Sequence, residues 1–108
     1  MHKITGKVIH GDGYGKKLGF PTVNLEVKEK IEVDIGVYSG LAFLEGKVYK
    51  AGIVIGPMYK IEAHLIGYDG DAYDKEVTLT TNKFLREYKN FDTEEELINQ
   101  IKEDIKQC

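Results

Sequence analysis

The sequence predicts an all-β fold: a small closed antiparallel barrel of five or six short strands with one C-terminal α-helix packed on its side. Three observations carry this. Short β-branched or alternating runs recur from residue 3 to residue 81, punctuated by glycine and without helical periodicity. A capping box followed by a helical apolar stripe stands at the end of the chain. Glycine-rich bends help a small sheet close, and closure removes exposed strand edges, so a barrel is preferred to an open sandwich.

Each element has its own signal. Lys3–His10, KITGKVIH, is β-branched and alternating and predicts a strand. Gly11–Gly19, GDGYGKKLG, is too rich in glycine for anything but a loop. Val23–Val27 reads as a short extended piece after Pro21. Gly36–Leu44 and Lys47–Ile55 read as two strands joined by a hairpin turn at Glu45-Gly46. Ile61–Ile66 is another strand, Tyr68–Asp74 a turn, and Lys75–Thr81, KEVTLTT, a cleanly alternating strand. From Thr93 the pattern changes. Thr93 is an N-cap with Glu96 three residues on, and the first-turn glutamates favour the helix dipole. Leu97, Ile98, Ile101 and Ile105 fall on one face of a helix from Thr93 to about Lys106, and that stripe must pack on the sheet.

Composition narrows the function. At 108 residues the chain is expected to be one domain, 1–108, with one modest core. Apolar residues at 42% and charged residues at 31% fit an ordinary globular chain. A net charge of −3 and a pI near 5.6 argue against nucleic acid as partner. The charge is uneven: +3 over residues 1–60 and −6 over residues 61–108, so a basic first half suits an anionic ligand. The single cysteine, Cys108, rules out an internal disulfide or a thiolate zinc site and suits a reducing compartment. The longest nearly apolar stretch, Ala51–Met58, is far short of the ~20 residues that span a membrane, and no signal core opens the chain. The expected location is cytoplasmic, with no membrane partner.

The densest chemical signal is Gly11–Asn24, GDGYGKKLGFPTVN. Its glycines permit close backbone approach to an anion, Lys16 and Lys17 bring positive charge, and Thr22 and Asn24 bring the oxygen donors that Mg²⁺ prefers. Neither GxxxxGK[ST] nor GxGxxG is satisfied, so on composition alone a glycine-rich turn at a barrel corner is the favoured reading of these residues. In Ile61–Ile66, alternation puts Glu62 and His64 on one face. On a pocket wall Glu62 is a candidate general base with His64 beside it; on a solvated wall both are surface residues. Asp69, Asp71 and Asp74 lack the rest of a calcium loop, the three histidines have no metal spacing, and Ser39 is the chain's one serine.

Together these residues resemble the riboflavin kinase (flavokinase) family, the ATP-dependent module that also forms the C-terminal half of bacterial bifunctional FAD synthetases. Gly15-Lys16-Lys17-Leu18-Gly19-Phe20-Pro21-Thr22-Val23-Asn24 resembles the signature G-[RK]-x-L-G-F-P-T-A-N. Gly36-Val37-Tyr38, Ile55-Gly56, Glu62-Ala63-His64-Leu65, Asp71-Ala72-Tyr73, and Leu85-Arg86 with Lys89-Asn90-Phe91 and the last helix follow in the family's order. The resemblance implies a six-stranded, Greek-key-like barrel and phosphoryl transfer from Mg-ATP to the ribityl 5′-hydroxyl of riboflavin, giving FMN and ADP.

It implies that Gly15, Lys16, Leu18, Gly19 and Pro21 cover the ATP phosphates. Thr22 and Asn24 are implied to bind Mg²⁺ and phosphate oxygens, Glu62 to be the catalytic base, and Arg86, Tyr88 and Phe91 to line the flavin. Three departures stand out beside the mild Val23 for alanine. The segment between Gly56 and Glu62 is short, Tyr88 stands where an acidic residue is expected, and Asp74 stands where glycine is common. No H-x-G-H motif is present and a Rossmann-like domain does not fit, so the expected product is FMN rather than FAD. The alternatives are a catalytically impaired flavin- or nucleotide-binding regulatory module, favoured by the short loop and Tyr88, and a ligand-free interaction barrel. A monomer is expected.

Overall fold

The computed structural model describes residues 2–9, 22–28, 31–68, 72–89 and 93–108. Six strands are present: β1 (His2–Ile9), β2 (Val23–Glu26), β3 (Gly36–Leu44), β4 (Lys47–Ile55), β5 (Ile61–Leu65) and β6 (Glu76–Arg86), followed by the helix α1 (Glu94–Lys106). Every pairing is antiparallel, and the strands close into a barrel in the order β1-β2-β5-β4-β3-β6. The predicted fold class is therefore the observed one. The glycine-rich loop 11–19 and the acidic turn residues Asp69 and Asp71 lie outside the described residues.

Period-2 alternation builds the interior. In β5, Ile61, Ala63 and Leu65 are buried, while Glu62 and His64 between them are half-buried. Ile53 and Ile55 from β4, Ala42 and Leu44 from β3, and Val77 and Leu79 from β6 meet them with 2 % exposure or less. Leu25 and Val8 complete the wall beside them. Val33, from the β2–β3 connection, and Ala72, from the β5–β6 connection, are packed into the same core from opposite ends of the barrel.

Two glycines are required by geometry. Glu45 and Gly46 both have positive φ, 50° and 77°, which is the hairpin turn that the sequence predicts between β3 and β4. At Gly40 the backbones of β3 and β6 meet so closely that a Cβ would lie 2.0 Å from the Thr80 carbonyl oxygen. The β3–β6 register shifts between Ser39 and Gly40, and again between Val37 and Tyr38. These irregularities carry β6 to Arg86, five residues beyond the Thr81 expected from alternation. Asn82, Lys83 and Phe84 are exposed in a row, which breaks the alternation where the register shifts.

Helix α1 begins as its capping box predicts: Thr93 accepts a hydrogen bond from the Glu96 amide at 3.2 Å. It docks on the outside of the barrel. Arg86 donates from Nε and Nη2 to the two carboxylate oxygens of Asp104, at 3.0 and 2.9 Å. Gln100 donates to the same carboxylate at 3.0 Å. At the helix end, the space beside Gly52 of β4 is taken by the Cys108 sulfur, 3.6 Å from where a Cβ would stand. Ser39, opposite Gly52, and Val37 are buried although their register faces them outward, so this part of the outer wall is covered, and α1 lies against β4.

Gly40→Ala is expected to cost about 3 kcal/mol, the upper end of overpacking, because a backbone carbonyl cannot rotate aside. A thermal unfolding midpoint equal to the wild type's would show that the sheet yields there. Cys108 yields a pH prediction. Burial first, and then the charge of Asp104, push its thiol above the ordinary 9.0. Folding thus favours the protonated thiol: its contribution is whole below pH 9 and is lost as pH rises through the higher folded value. At pH 8, alkylation of Cys108 is expected to be slower in the folded chain than in urea, as mass spectrometry over a time course would read.

Candidate functional site

The interior of the barrel is filled, so the polar residues singled out in the sequence stand on its outer wall. One transverse row of register partners crosses all six strands: Ile9, Asn24, Glu62, Val54, Val37 and Arg86. The row climbs as it goes, from the last residue of β1 to the last residue of β6, because the strands of a closed barrel are staggered. Asn24 and Glu62 are direct partners across β2 and β5, both half-buried. Directly opposed residues on one face of an antiparallel pair have Cβ atoms about 4.5–5.5 Å apart. Thr22 immediately precedes β2 and is also half-buried. The carboxylate and the two oxygen donors read from the sequence are therefore brought to one patch, at the point where the loop 10–21 rejoins the barrel.

His64 shares the face of Glu62, as alternation predicts, and stands opposite Gly52. The sequence left open whether that face lines a pocket or meets water; it is the outer wall, and both residues are half-buried there. Gly15, Lys16, Leu18, Gly19, Pro21 and Phe91 lie outside the described residues, so their predicted places over phosphate and flavin are not part of this geometry. Among the described residues no group of three or more His, Cys, Asp or Glu is placed to hold a metal ion.

Further along the same wall, beyond Val54 and Glu62, lies the β4–β5 connection. It is the short segment noted in the sequence, and it forms a single 3-10 turn, Pro57–Tyr59. The neck of the turn is closed by a hydrogen bond from the Gly56 amide to the Lys60 carbonyl at 2.8 Å. Met58 and Tyr59 inside it take positive φ, 61° and 53°, and Met58 is 91 % exposed. Backbone of this kind costs about 1–3 kcal/mol per residue and persists only where its surroundings hold it. Tyr88 comes across from the end of β6 and lies on Gly56, its ring carbon Cε1 3.3 Å from where a Cβ would stand. A larger residue at 56 would displace that ring.

Arg86 is placed differently from the rest. Its guanidinium holds Asp104 of α1, with side-chain exposures of 23% and 13%, and donates from Nη1 to the Glu87 carbonyl at 3.1 Å. Nothing in the sequence reading pointed to Asp104. The available signal was compositional: Arg86 is the chain's one arginine among fourteen lysines, and a planar fork is what two-point carboxylate binding needs. Asp74, where the family commonly has glycine, adopts φ 71°, the left-handed conformation glycine would take. Its amide donates to the Val8 carbonyl at 3.0 Å, and its carboxylate pairs with Lys7 at 2.7 Å on the surface. That hydrogen bond and charge raise the Lys7 ammonium above its ordinary value.

Comparison with known proteins decides the family. The flavokinase (riboflavin kinase) family matches residues 1–108. The chain belongs to the riboflavin kinase family. It is 36% identical to the riboflavin kinase of Mus musculus over 117 residues, covering 95% of this chain and 76% of that protein. It is 31% identical over 111 residues to the bifunctional riboflavin kinase/FMN adenylyltransferase of Pseudomonas fluorescens, covering 95% of this chain. The chain spans 36% of the length of that bifunctional relative. The crystal structure of riboflavin kinase from Trypanosoma brucei superposes with a TM-score of 0.71 at 21% identity, covering 96% of this chain and 72% of that one, and shares the fold. Among the described residues no helix is long and apolar enough to cross a membrane.

Proposed function

We propose that this chain transfers the γ-phosphoryl group of ATP to the ribityl 5′-hydroxyl of riboflavin, releasing FMN and ADP. The observation that supports this above the rest is the register pairing of Asn24 with Glu62 on the outer wall, beside Thr22. Phosphoryl transfer needs little covalent chemistry from the protein; it needs positioning and charge neutralisation. One carboxylate to take a proton and a few oxygen donors beside the phosphates are a sufficient set.

In this reading the Glu62 carboxylate accepts the proton of the substrate hydroxyl as its oxygen bonds to the γ-phosphorus. The bond from that phosphorus to the β–γ bridging oxygen breaks, and the electron pair leaves with ADP. Thr22 and Asn24 offer a hydroxyl and an amide oxygen. Those suit a hard divalent cation, and with no carboxylate cluster among the described residues the ion would take its remaining ligands from phosphate and water. The Mg²⁺ that arrives with ATP neutralises the phosphate charge. The loop residues Gly15, Lys16, Leu18, Gly19 and Pro21 are assigned to the phosphates, and Tyr88 and Phe91 to the flavin. Arg86, read from the sequence as a flavin contact, has its guanidinium on Asp104 and the Glu87 carbonyl, and is assigned to the flavin side of the site.

The test is turnover: protein, riboflavin and Mg-ATP, with FMN separated by chromatography. Saturable flavin quenching without FMN would identify a binding module instead, and neither signal would leave an interaction barrel. Glu62→Gln is expected to lower kcat about 10²–10⁴-fold while riboflavin affinity stays near that of the wild type. Asn24→Ala is expected to reduce kcat/KM for Mg-ATP roughly 10–100-fold, the value of a hydrogen bond to a charged group, again with riboflavin binding spared. Steady-state kinetics with each substrate varied in turn checks both.

A further inference from the structure

We propose that the Arg86–Asp104 ion pair is a positioning device for the riboflavin side of the site, acting through Tyr88. The pair fixes the chain as it leaves β6, so that the Tyr88 ring lies on Gly56 beside Val54 and Glu62. Arg86 serves the flavin by placing that ring, without touching the ligand itself. The proposal rests on the kinase reading above for its ligand.

The contacts form a continuous line. Arg86 ends β6 and is the register partner of Val37. Two of its nitrogens are fastened to Asp104, which is 9 % exposed and also held by Gln100. The third, Nη1, holds the Glu87 carbonyl. One guanidinium therefore pins both the helix and the first peptide after the strand. Tyr88 follows immediately and meets Gly56. Gly56 lies two residues past Val54, about 7 Å along the strand, and Val54 is the register partner of Glu62. Tyr88 is 37 % exposed, so the residue keeps surface to offer a planar ligand at that distance from the carboxylate.

Chemistry explains the choice of residue. A lysine carries one nitrogen and cannot grip both carboxylate oxygens and a carbonyl in one plane; an arginine can. Tyr88 also accounts for the departure from the family pattern. An aromatic ring that packs on glycine is a different contact from the acidic side chain expected there. Its place depends on the course of the chain leaving β6, which the Arg86 guanidinium holds at the Glu87 carbonyl.

The experiment reads two signals in Arg86→Lys, Asp104→Asn, their double variant and Tyr88→Ala. The first is the ring-current shift of the Gly56 proton resonances in the free protein. The second is riboflavin Kd by fluorescence quenching, with KM for Mg-ATP as the control. Arg86→Lys and Asp104→Asn are each expected to lose the Gly56 shift and weaken riboflavin about tenfold, with the ATP KM within about twofold. The double variant is expected to be no weaker than either single one. Tyr88→Ala, a surface change that spares the helix clasp, is expected to weaken riboflavin by the same factor without lowering the unfolding midpoint.

An unchanged Gly56 shift in Asp104→Asn overturns the proposal. So does an Asp104→Asn protein that binds riboflavin normally while Arg86→Lys does not, since that marks a direct contact. Should the clasp variants fail to fold, Tyr88→Ala decides: an unaltered riboflavin Kd sinks the idea. Wild-type protein that quenches no flavin overturns the kinase reading and the ligand half of this one. The Gly56 shift, read on the free protein, still decides whether the clasp positions the ring.

Discussion

A six-stranded barrel of this size has no room inside for a substrate. Its inward positions are taken by Ile, Leu, Val and Ala at close to zero exposure, with Val33 and Ala72 packed in from the two ends. Barrels of about eight strands are already just wide enough to be filled by their own side chains. Any chemistry must therefore be done on the outer wall, and the wall is flat unless something is built over it. Among the described residues two things are built there: α1 over β4, tied to the end of β6, and the chain leaving β6 over Gly56. The loop 10–21 joins the wall at β2, next to Thr22 and Asn24. The barrel acts as a rigid ruler, and its register decides which side chains share a row.

That ruler explains how residues far apart in sequence come together without a cleft between lobes. Asn24 and Glu62 are neighbours because β2 and β5 pair, and a slip of one residue would turn either of them into the core. Such a slip would bury a carboxylate against Ile and Leu, at a cost that no small core tolerates. The hydrophobic alternation that holds the barrel together thus also specifies the patch. Stability and placement are the same constraint seen from the two faces of the sheet.

Much of this was legible in the sequence, and what was not has physical reasons. Alternation located β1, β3, β4 and β5 closely and put Glu62 with His64, because period 2 is a local property. Alternation does not say which face is inward when both carry mixed residues, so the outer wall had to come from the fold. The end of β6 was invisible past Thr81, since the bulges beside Val37 and Gly40 shift the register and break the pattern. The segment between Gly56 and Glu62 was legible as short, but not as a 3-10 turn with positive φ at Met58 and Tyr59, which ordinary side chains seldom adopt. Asp104 was hidden because a helical stripe is read by its apolar members, here Ile101 and Ile105. A lone acid beside them reads as solvated surface unless its partner on another element is known.

The clasp between Arg86 and Asp104 carries a wider point about small barrels. A buried ion pair is a weak source of stability, since desolvation consumes most of its Coulomb energy, yet removing one partner costs about 3–5 kcal/mol. Such a pair is best understood by what it makes unique. An apolar contact in its place would hold α1 to the wall but let it slide along the strand, since apolar surfaces have no preferred register. The guanidinium allows one orientation only, with Asp104 on two nitrogens and the Glu87 carbonyl on the third. The direction in which the chain leaves β6, and with it the place of Tyr88, is then set by hydrogen-bond geometry. In a chain otherwise supplied with lysine, one arginine stands where direction matters more than charge.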